Sequence, residues 1–324
     1  MEKILTVSIA AYNVEKYLRE TLDSLISPDI ADELEVLIID DGSTDSTPFI
    51  AREYEERFPG TMRLISKENG GYGSTINRGL KEARGRYFRQ LDGDDRLSGG
   101  LAGFVRDIKE AHEDLILTQV IRWNESTGEE NIRDYVRNAG EGSHLFDDIE
   151  VPDIITMHSA TYRTDFLRKY GRKITEHCFY TDLEYVTYPL PHVKTVRVLH
   201  RPLYVYRTGA EGQSISRTGI RKHYREHRKV LVHLCRLYRK YREDLGPAAT
   251  DAIEARLSLE TVMHMKYLCM TGMSVGHFME LRGFLAEMNR HFPEVMRIAK
   301  SRSGFARVMA ASGGLIYPVF CLTV

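Results

Sequence analysis

Three carboxylates fall within four residues at Asp92-Gly93-Asp94-Asp95, directly after the strand-like run Tyr87-Phe88-Arg89-Gln90-Leu91. Carboxylates this close repel one another, and their joint ionisation calls for a compensating cation. An Asp-x-Asp pattern at a strand end suits a hard divalent ion with oxygen ligands, and such an ion commonly escorts phosphates. The plainer reading is an acidic turn in which Asp95 caps the next helix. A second acidic turn, Asp40-Asp41-Gly42-Ser43-Thr44-Asp45, follows another apolar run, Val36-Leu37-Ile38-Ile39. Here the plainer reading is a cap for a helix starting near Thr44.

Both turns need a framework, and the first third of the chain supplies one. Strands are expected over Ile4 to Ala11, Leu34 to Ile39, Met62 to Ser66 and Tyr87 to Leu91, alternating with helices over Val14 to Leu25, Thr44 to Phe58 and Ser74 to Ala83. The first of these helices puts Val14, Leu18, Leu22 and Leu25 on one face, and the second is entered through Ser43 or Thr44 with Asp45 in its first turn. Such alternation predicts an α/β fold, a mostly parallel sheet flanked by helices, with ligands at the carboxyl ends of the strands. Tyr12-Asn13, Asp40-Asp41, Asn69-Gly70-Gly71 and Asp92 to Asp95 all lie at those ends. Gly71-Tyr72-Gly73 gives only part of a dinucleotide-binding fingerprint, since the third glycine is missing and the motif follows the third strand. Its glycines instead let backbone approach a ligand. No P-loop and no Gly-x-Ser-x-Gly elbow is present.

Composition narrows the function classes. A net charge of −1 over 324 residues argues against a nucleic-acid binder. Cys178, Cys235, Cys269 and Cys321 form no C-x-x-C pair, which signals neither a zinc site nor a disulfide framework and suits a reducing cytoplasm. Met1-Glu2-Lys3 runs into an apolar strand too short for a signal peptide.

Four motifs in order carry a resemblance: Val7-Ser8-Ile9-Ala10-Ala11-Tyr12-Asn13, then Ile38 to Asp45, then Glu68-Asn69-Gly70-Gly71 with Asn77-Arg78-Gly79, then Leu91 to Asp95. This set resembles glycosyltransferase family 2, over roughly residues 4 to 216. Downstream it continues through Met157 to Arg163, Phe179 to Tyr185, Arg201 to Arg207 and Gln213-Ser214-Ile215-Ser216. The resemblance implies a GT-A (Rossmann-like) fold and transfer from a nucleotide-activated sugar with inversion. Two departures stand out. Thr181 stands where a glutamate is common before the aspartate matched by Asp182, and Ile76 stands where many members carry an arginine. Any donor contact of that arginine falls to another cation, with Lys67 and Arg78 as candidates.

On this resemblance, the nucleotide-sugar site comprises Ala11, Tyr12, Asn13, Asp40, Asp41, Lys67, Gly71, Asn77, Asp92 and Gly93. Asp40 or Asp41 would accept from the base edge, which favours uracil, with Tyr12 stacked on the ring. Asp92 and Asp94 would hold Mg²⁺ or Mn²⁺ against the diphosphate, Asp92 also reaching the ribose. Asp182 would act as general base on the acceptor hydroxyl. His158, His177 and His192 read as structural or solvent-facing residues. Arg207 reads equally as a diphosphate contact and as a salt bridge.

Residues 125 to 155 are weakly patterned, with polar turns at Glu125 to Glu130 and Asn138 to Ser143; they would face the acceptor. The catalytic domain is expected over 1–216, its nucleotide-sugar half at 1–110 and its acceptor half at 111–216, followed by a helical region at 217–324. Ile220, Tyr224, Leu231, Leu234, Tyr238 and Tyr241 recur at helical spacing, and Arg217 to Arg242 holds ten Lys or Arg against one acid, Glu226. Such a helix suits either packing with a solvated basic face or an anionic membrane surface. Val308 to Val324 carries no charge, but Gly313, Gly314 and Pro318 interrupt it and it is too short to span a bilayer. The expectation is a cytoplasmic, metal-dependent inverting glycosyltransferase, with peripheral contact at the inner membrane face as the alternative to a packed basic helix. It would take a UDP-sugar and a saccharide or lipid-linked acceptor in polysaccharide biosynthesis. A nucleotide-sugar-binding module without turnover is the alternative.

Overall fold

A computed structural model describes residues 2–136, 138–151, 154–209 and 217–322. The chain divides into two compact units, Met1–Ala210 and Glu211–Val324. The first unit runs β1 (Leu5–Ala11), α1 (Leu18–Asp23), β2 (Leu34–Asp40), α2 (Thr47–Arg57), β3 (Met62–Ser66), α3 (Tyr72–Glu82), β4 (Tyr87–Asp92), β5 (Arg96–Leu97) and α4 (Leu101–Asp107). It continues with β6 (Leu115–Asn124), β7 (Glu130–Arg133), β8 (Gly142–Leu145), β9 (Ala160–Arg163), α5 (Thr164–Tyr170), α6 (Asp182–Thr187) and β10 (Thr195–Thr208). One sheet has the order β3-β2-β1-β4-β9-β6-β10-β5, with β7 on β6 and β8 on β10.

β1 to β4 pair in parallel. β2 is buried along its whole length, as expected for a parallel strand covered on both faces. Val36 and Ile38 join the main core with Leu18, Leu22 and Phe104, while Leu37 and Ile39 pack with Ile65 on the other face. Truncating a core residue such as Ile38 to Ala would cost about 2–5 kcal/mol. β9 then inserts antiparallel between β4 and β6, and β10 runs parallel to β6. The expected polar turn at Glu125 to Glu130 is the hairpin between β6 and β7, which pair antiparallel.

Several helix starts differ from expectation: α1 begins at Leu18 rather than Val14, and α3 at Tyr72 rather than Ser74. α2 begins at Thr47, not Thr44, with Ser46 at the cap position and Pro48 in its first turn. The reason lies in the preceding turn. The Ser43 hydroxyl accepts from the Asn13 N–H (3.0 Å), and the Thr44 N–H donates to Asn13 Oδ1 (2.8 Å). Asp45 accepts from the Thr47 and Glu15 N–H groups (2.9 and 3.1 Å), so residues 43–45 tie the loop to the end of β1. Asp95 caps no helix either, since α4 starts at Leu101 behind Gly100.

The second unit is helical: α7 (Arg217–Tyr241), α8 (Pro247–Met270), α9 (Val275–His291), α10 (Pro293–Arg302), α11 (Gly304–Ala311) and α12 (Tyr317–Cys321). Ile220, Tyr224, Leu231, Leu234 and Tyr238 of α7 are buried. Part of its basic face meets α9, where Arg225 pairs with Glu280 and Arg228 with Glu287. Among the described residues, no helix is long and apolar enough to cross a membrane.

Candidate active site

Register places the two acidic turns on either side of one strand end. Ala11 of β1 aligns with Asp40 of β2, and Ala10 aligns with Asp92 of β4. The first turn is closed by the chain's own donors. Asp40 Oδ1 accepts from the Ser43 N–H (3.0 Å). Asp41 Oδ1 accepts from the Gly70 N–H (2.9 Å) and the Ser74 hydroxyl (3.2 Å), its Oδ2 accepts from the Gly71 N–H (2.8 Å), and Lys67 pairs with it. Asp41 is thus committed to shaping the glycine loop, whereas the donor to Asp40 is the Ser43 N–H of its own turn. Tyr12 beside it is half exposed (51%), and the buried Ala11 fixes the turn by accepting the Asp41 N–H at 2.9 Å.

The glycine loop is seated as tightly as backbone allows. Gly71 has φ +77°, and a Cβ there would lie 3.2 Å from the His177 backbone; a Cβ on Gly73 would meet the Thr175 carbonyl at 2.1 Å. The His177 N–H donates to the Gly70 carbonyl at 2.5 Å. Asn77 adds a clamp: its Oδ1 accepts from the Ile174 N–H (2.9 Å) and its Nδ2 donates to the Ile174 carbonyl (2.9 Å) and Glu176 (3.0 Å). Asn77 therefore holds the 174–177 segment against α3. Neither candidate for the missing arginine faces a ligand with its charge uncommitted. Lys67 donates to Asp41, Ser74 and the Glu68 carbonyl, and Arg78 pairs with Glu82. Ile76 itself is buried.

The second turn is electrostatically overloaded. The Gly93 N–H donates to the Ala10 carbonyl (3.0 Å), and the Thr21 hydroxyl braces the carbonyls of Gly93 (3.0 Å) and Asp95 (2.6 Å). Burial and then the charge of Asp94 push the Asp92 carboxyl up to about 7, with Asp182 adding to the rise. Burial raises Asp94 as well. Asp95 is lifted well above the usual carboxylate range by burial and by Asp92 and Asp94. Asp95 Oδ2 accepts from the Tyr204 hydroxyl and its Oδ1 from the Arg207 N–H, both at 2.7 Å.

Side chains from distant parts of the chain frame this turn. Tyr72, at the start of α3, donates to Asp92 Oδ1 at 2.5 Å. Burial, followed by the charges of Asp92 and Asp182, holds its phenol protonated well above its ordinary range. Arg207 is buried; it donates to the Asp94 carbonyl (2.8 Å), pairs with Glu125 (3.0 Å) and Glu20 (2.5 Å), and lies over the Tyr17 and Trp123 rings. It supports the turn from behind. His158 stacks on Tyr206 (4.4 Å) and meets Tyr204 edge-on (4.7 Å), and buried Arg89 holds the His158 carbonyl. His192 stacks on Tyr170 (4.2 Å), and His177 is exposed in a left-handed conformation.

The donor set fits a divalent cation. Among the described residues, Asp92, Asp95 and His158 bring ligand atoms within 4.8 Å of one another. Both oxygens of Asp95 already accept hydrogen bonds, which suits an orienting residue; burial raises the Asp92, Asp94 and Asp95 carboxyls alike, and a cation would relieve them. Asp182 stands at the first position of α6 with Thr181 at the cap, and its charge acts on both Asp92 and Tyr72. Glu184, two residues on, is fully buried. It accepts from the Thr175 N–H (2.7 Å), the Thr175 hydroxyl (2.9 Å) and the Tyr188 hydroxyl (2.8 Å), which anchors α6. Gln213 to Ser216 lie outside the described residues.

A sequence profile described as glycosyl transferase family 2 matches residues 6–171. The chain is 29% identical over 221 residues to the minor teichoic acid biosynthesis protein GgaB of Bacillus subtilis strain 168, covering 66% of this chain and 24% of GgaB. It is 38% identical over 127 residues to chondroitin synthase of Escherichia coli, covering 39% of this chain and 18% of that protein. The chain thus spans only a minor part of these relatives. Among solved structures, residues 1–349 of S. aureus TarS in complex with UDP-GlcNAc superpose with a TM-score of 0.67 at 19% identity, covering 97% of this chain and 89% of that one. That likeness is one of fold, and it places this chain's curled α/β sheet and helical C-terminal region with a GT-A protein.

Proposed function

The chain belongs to glycosyl transferase family 2 and is a glycosyltransferase; from that premise we propose that it transfers a sugar from a UDP-sugar to a saccharide or lipid-linked hydroxyl, inverting the anomeric carbon with the help of a divalent cation. The observation that carries this reading is the buried Asp92–Asp95 turn, where Asp92, Asp95 and His158 bring ligand atoms within 4.8 Å of one another and the charge of Asp182 adds to the rise of the Asp92 carboxyl.

Asp40 accepts from the uracil ring N–H while Tyr12 covers the ring, and the glycine loop shaped by Asp41 brings backbone close to the donor. Uracil is supported by the carboxylate acceptor and by the UDP-GlcNAc bound in TarS. Asp92 and Asp94 would hold Mg²⁺ or Mn²⁺, with His158 at the flank, and such an ion would offset the negative charge that develops on the leaving diphosphate. Asp182 takes the proton from the acceptor hydroxyl as its oxygen bonds to the anomeric carbon from the face opposite the diphosphate. The bond to the diphosphate oxygen breaks with its electron pair leaving on UDP, so one displacement gives one inversion. The names of GgaB and chondroitin synthase support a role in building a surface polysaccharide. An anionic membrane surface would meet those residues of Arg217 to Arg242 that are not paired with α9.

Calorimetric titration with UDP in Mn²⁺ and in EDTA tests the cation assignment. UDP binds more tightly with Mn²⁺, and Asp94→Ala erases the difference; equal affinity in both buffers for the unaltered protein sinks it.

A further inference from the structure

We infer that Tyr72 is a positioning residue that couples the nucleotide loop to the cation site, an inference that rests on the cation reading above. Three hydrogen bonds and a backbone turn make a continuous link. Asp41 accepts the Gly70 and Gly71 N–H groups at 2.9 and 2.8 Å. Gly71, at φ +77°, turns the chain into α3. Tyr72 is the next residue, and its hydroxyl lies 2.5 Å from Asp92 Oδ1 and 2.8 Å from the Met157 sulfur. A phenol has one proton to donate, and a carboxylate accepts it far better than a thioether. The hydrogen bond therefore belongs to Asp92, and the sulfur packs against the oxygen.

Fixing one oxygen of Asp92 aims the other. The partner that does the aiming sits one residue beyond the loop that Asp41 shapes, so the geometry of the cation ligand depends on the geometry of the glycine loop. One helical turn farther along α3, position 76 is the buried Ile76, and Lys67 and Arg78 pair with Asp41 and Glu82. This helix thus reaches the second acidic turn through a neutral donor. A neutral donor orients the carboxylate without supplying a charge that would compete with a cation. Groups that orient metal ligands typically change metal affinity about 10- to 100-fold when removed, and by linkage a change in how UDP favours the cation equals the change in how the cation favours UDP.

Tyr72→Phe keeps the ring and removes the donor. Calorimetry should show UDP affinity in EDTA within about twofold of the unaltered protein, while the gain in UDP affinity on adding Mn²⁺ shrinks roughly tenfold. Mn²⁺ affinity measured in saturating UDP should fall by the same factor. In an Asp92→Asn background the same change should add nothing further, which isolates the pair. Met157→Leu, which keeps the Tyr72–Asp92 bond, should leave the Mn²⁺ gain intact. A full Mn²⁺ gain in Tyr72→Phe overturns the inference and leaves the cation reading standing, as does an undiminished effect in Asp92→Asn. Absence of any gain in the unaltered protein removes both.

Discussion

The two acidic turns differ in who satisfies them. At Asp40–Asp45 the chain provides the donors: Ser43 for Asp40, the glycine loop and Lys67 for Asp41, Thr47 and Glu15 for Asp45. At Asp92–Asp95, Tyr72, Tyr204 and the Arg207 N–H donate, but burial raises all three carboxyls, Asp94 adds to the rise of Asp92, and Asp92 and Asp94 add to that of Asp95. Equal densities of aspartate therefore mean different things. A turn whose carboxylates are paired is architecture, and one whose carboxylates stay raised by burial and by neighbouring charge is where the proposed cation would sit.

The largest effect that sharpens this contrast comes from across the second turn. Asp182→Asn keeps the shape but accepts no proton, so transfer should fall by about 10²- to 10⁴-fold with UDP affinity unchanged. Near-normal transfer would remove Asp182 as the base and turn attention to Glu184, the neighbouring acid, which accepts from Thr175 and Tyr188; the binding-module reading would need no transfer by the unaltered protein. Next, Asp94→Ala should lower transfer by roughly 10²- to 10³-fold, the scale of losing one electrostatic contact to a developing charge.

Stability should separate the turns by sign. Asp41→Ala strands Lys67 and two loop N–H groups and should destabilise the first unit by about 3 kcal/mol, read from denaturant unfolding. Asp94→Asn in EDTA should instead raise the unfolding temperature, because it relieves repulsion. A loss there would mean that the second turn is as well satisfied as the first.

Titration gives the smallest and most direct contrast. Burial and the charge of Asp94 raise Asp92 in the folded state to about 7 from an ordinary 3.8, so its contribution is present in acid and is lost as pH climbs through about 7. Burial pushes Asp45 up, but hydrogen bonds from Thr47 and Glu15 outweigh it and leave its pKa below 3.8. Its contribution is present above that value and is lost as pH falls through the folded pKa. In EDTA, Asp92→Asn should gain stability relative to the unaltered protein on going from about pH 5 to pH 8, and Asp45→Asn should approach it below about pH 4.

Much of this was legible in the sequence because it was local. Val36 to Ile39 reads as a strand covered on both faces, and the acidic turns declare themselves by spacing. The start of α2 was misplaced because Asn13, about thirty positions away, takes the donor and acceptor that Ser43 and Thr44 would have used as caps. The commitment of Asp41, the clamp made by Asn77 and the pairing of α7 with α9 all depend on partners that no short window contains. The hydroxyls of Tyr72 and Tyr204 reach the second turn across 20 and 109 positions. His158 read as structural because its company of Asp92, Asp95, Tyr204 and Tyr206 exists only in the folded chain.

Trp123 is the sole tryptophan of the sequence, and its ring lies 4.5 Å from the guanidinium of Arg96 and 4.8 Å from that of Arg207. Excited-state indole responds to charge beside its ring, and Arg207 also holds the Asp94 carbonyl and Glu125. Emission excited at the red edge of the indole band should therefore come from this one position and shift when the second turn is neutralised, which gives the protein an optical gauge of that turn without any added label.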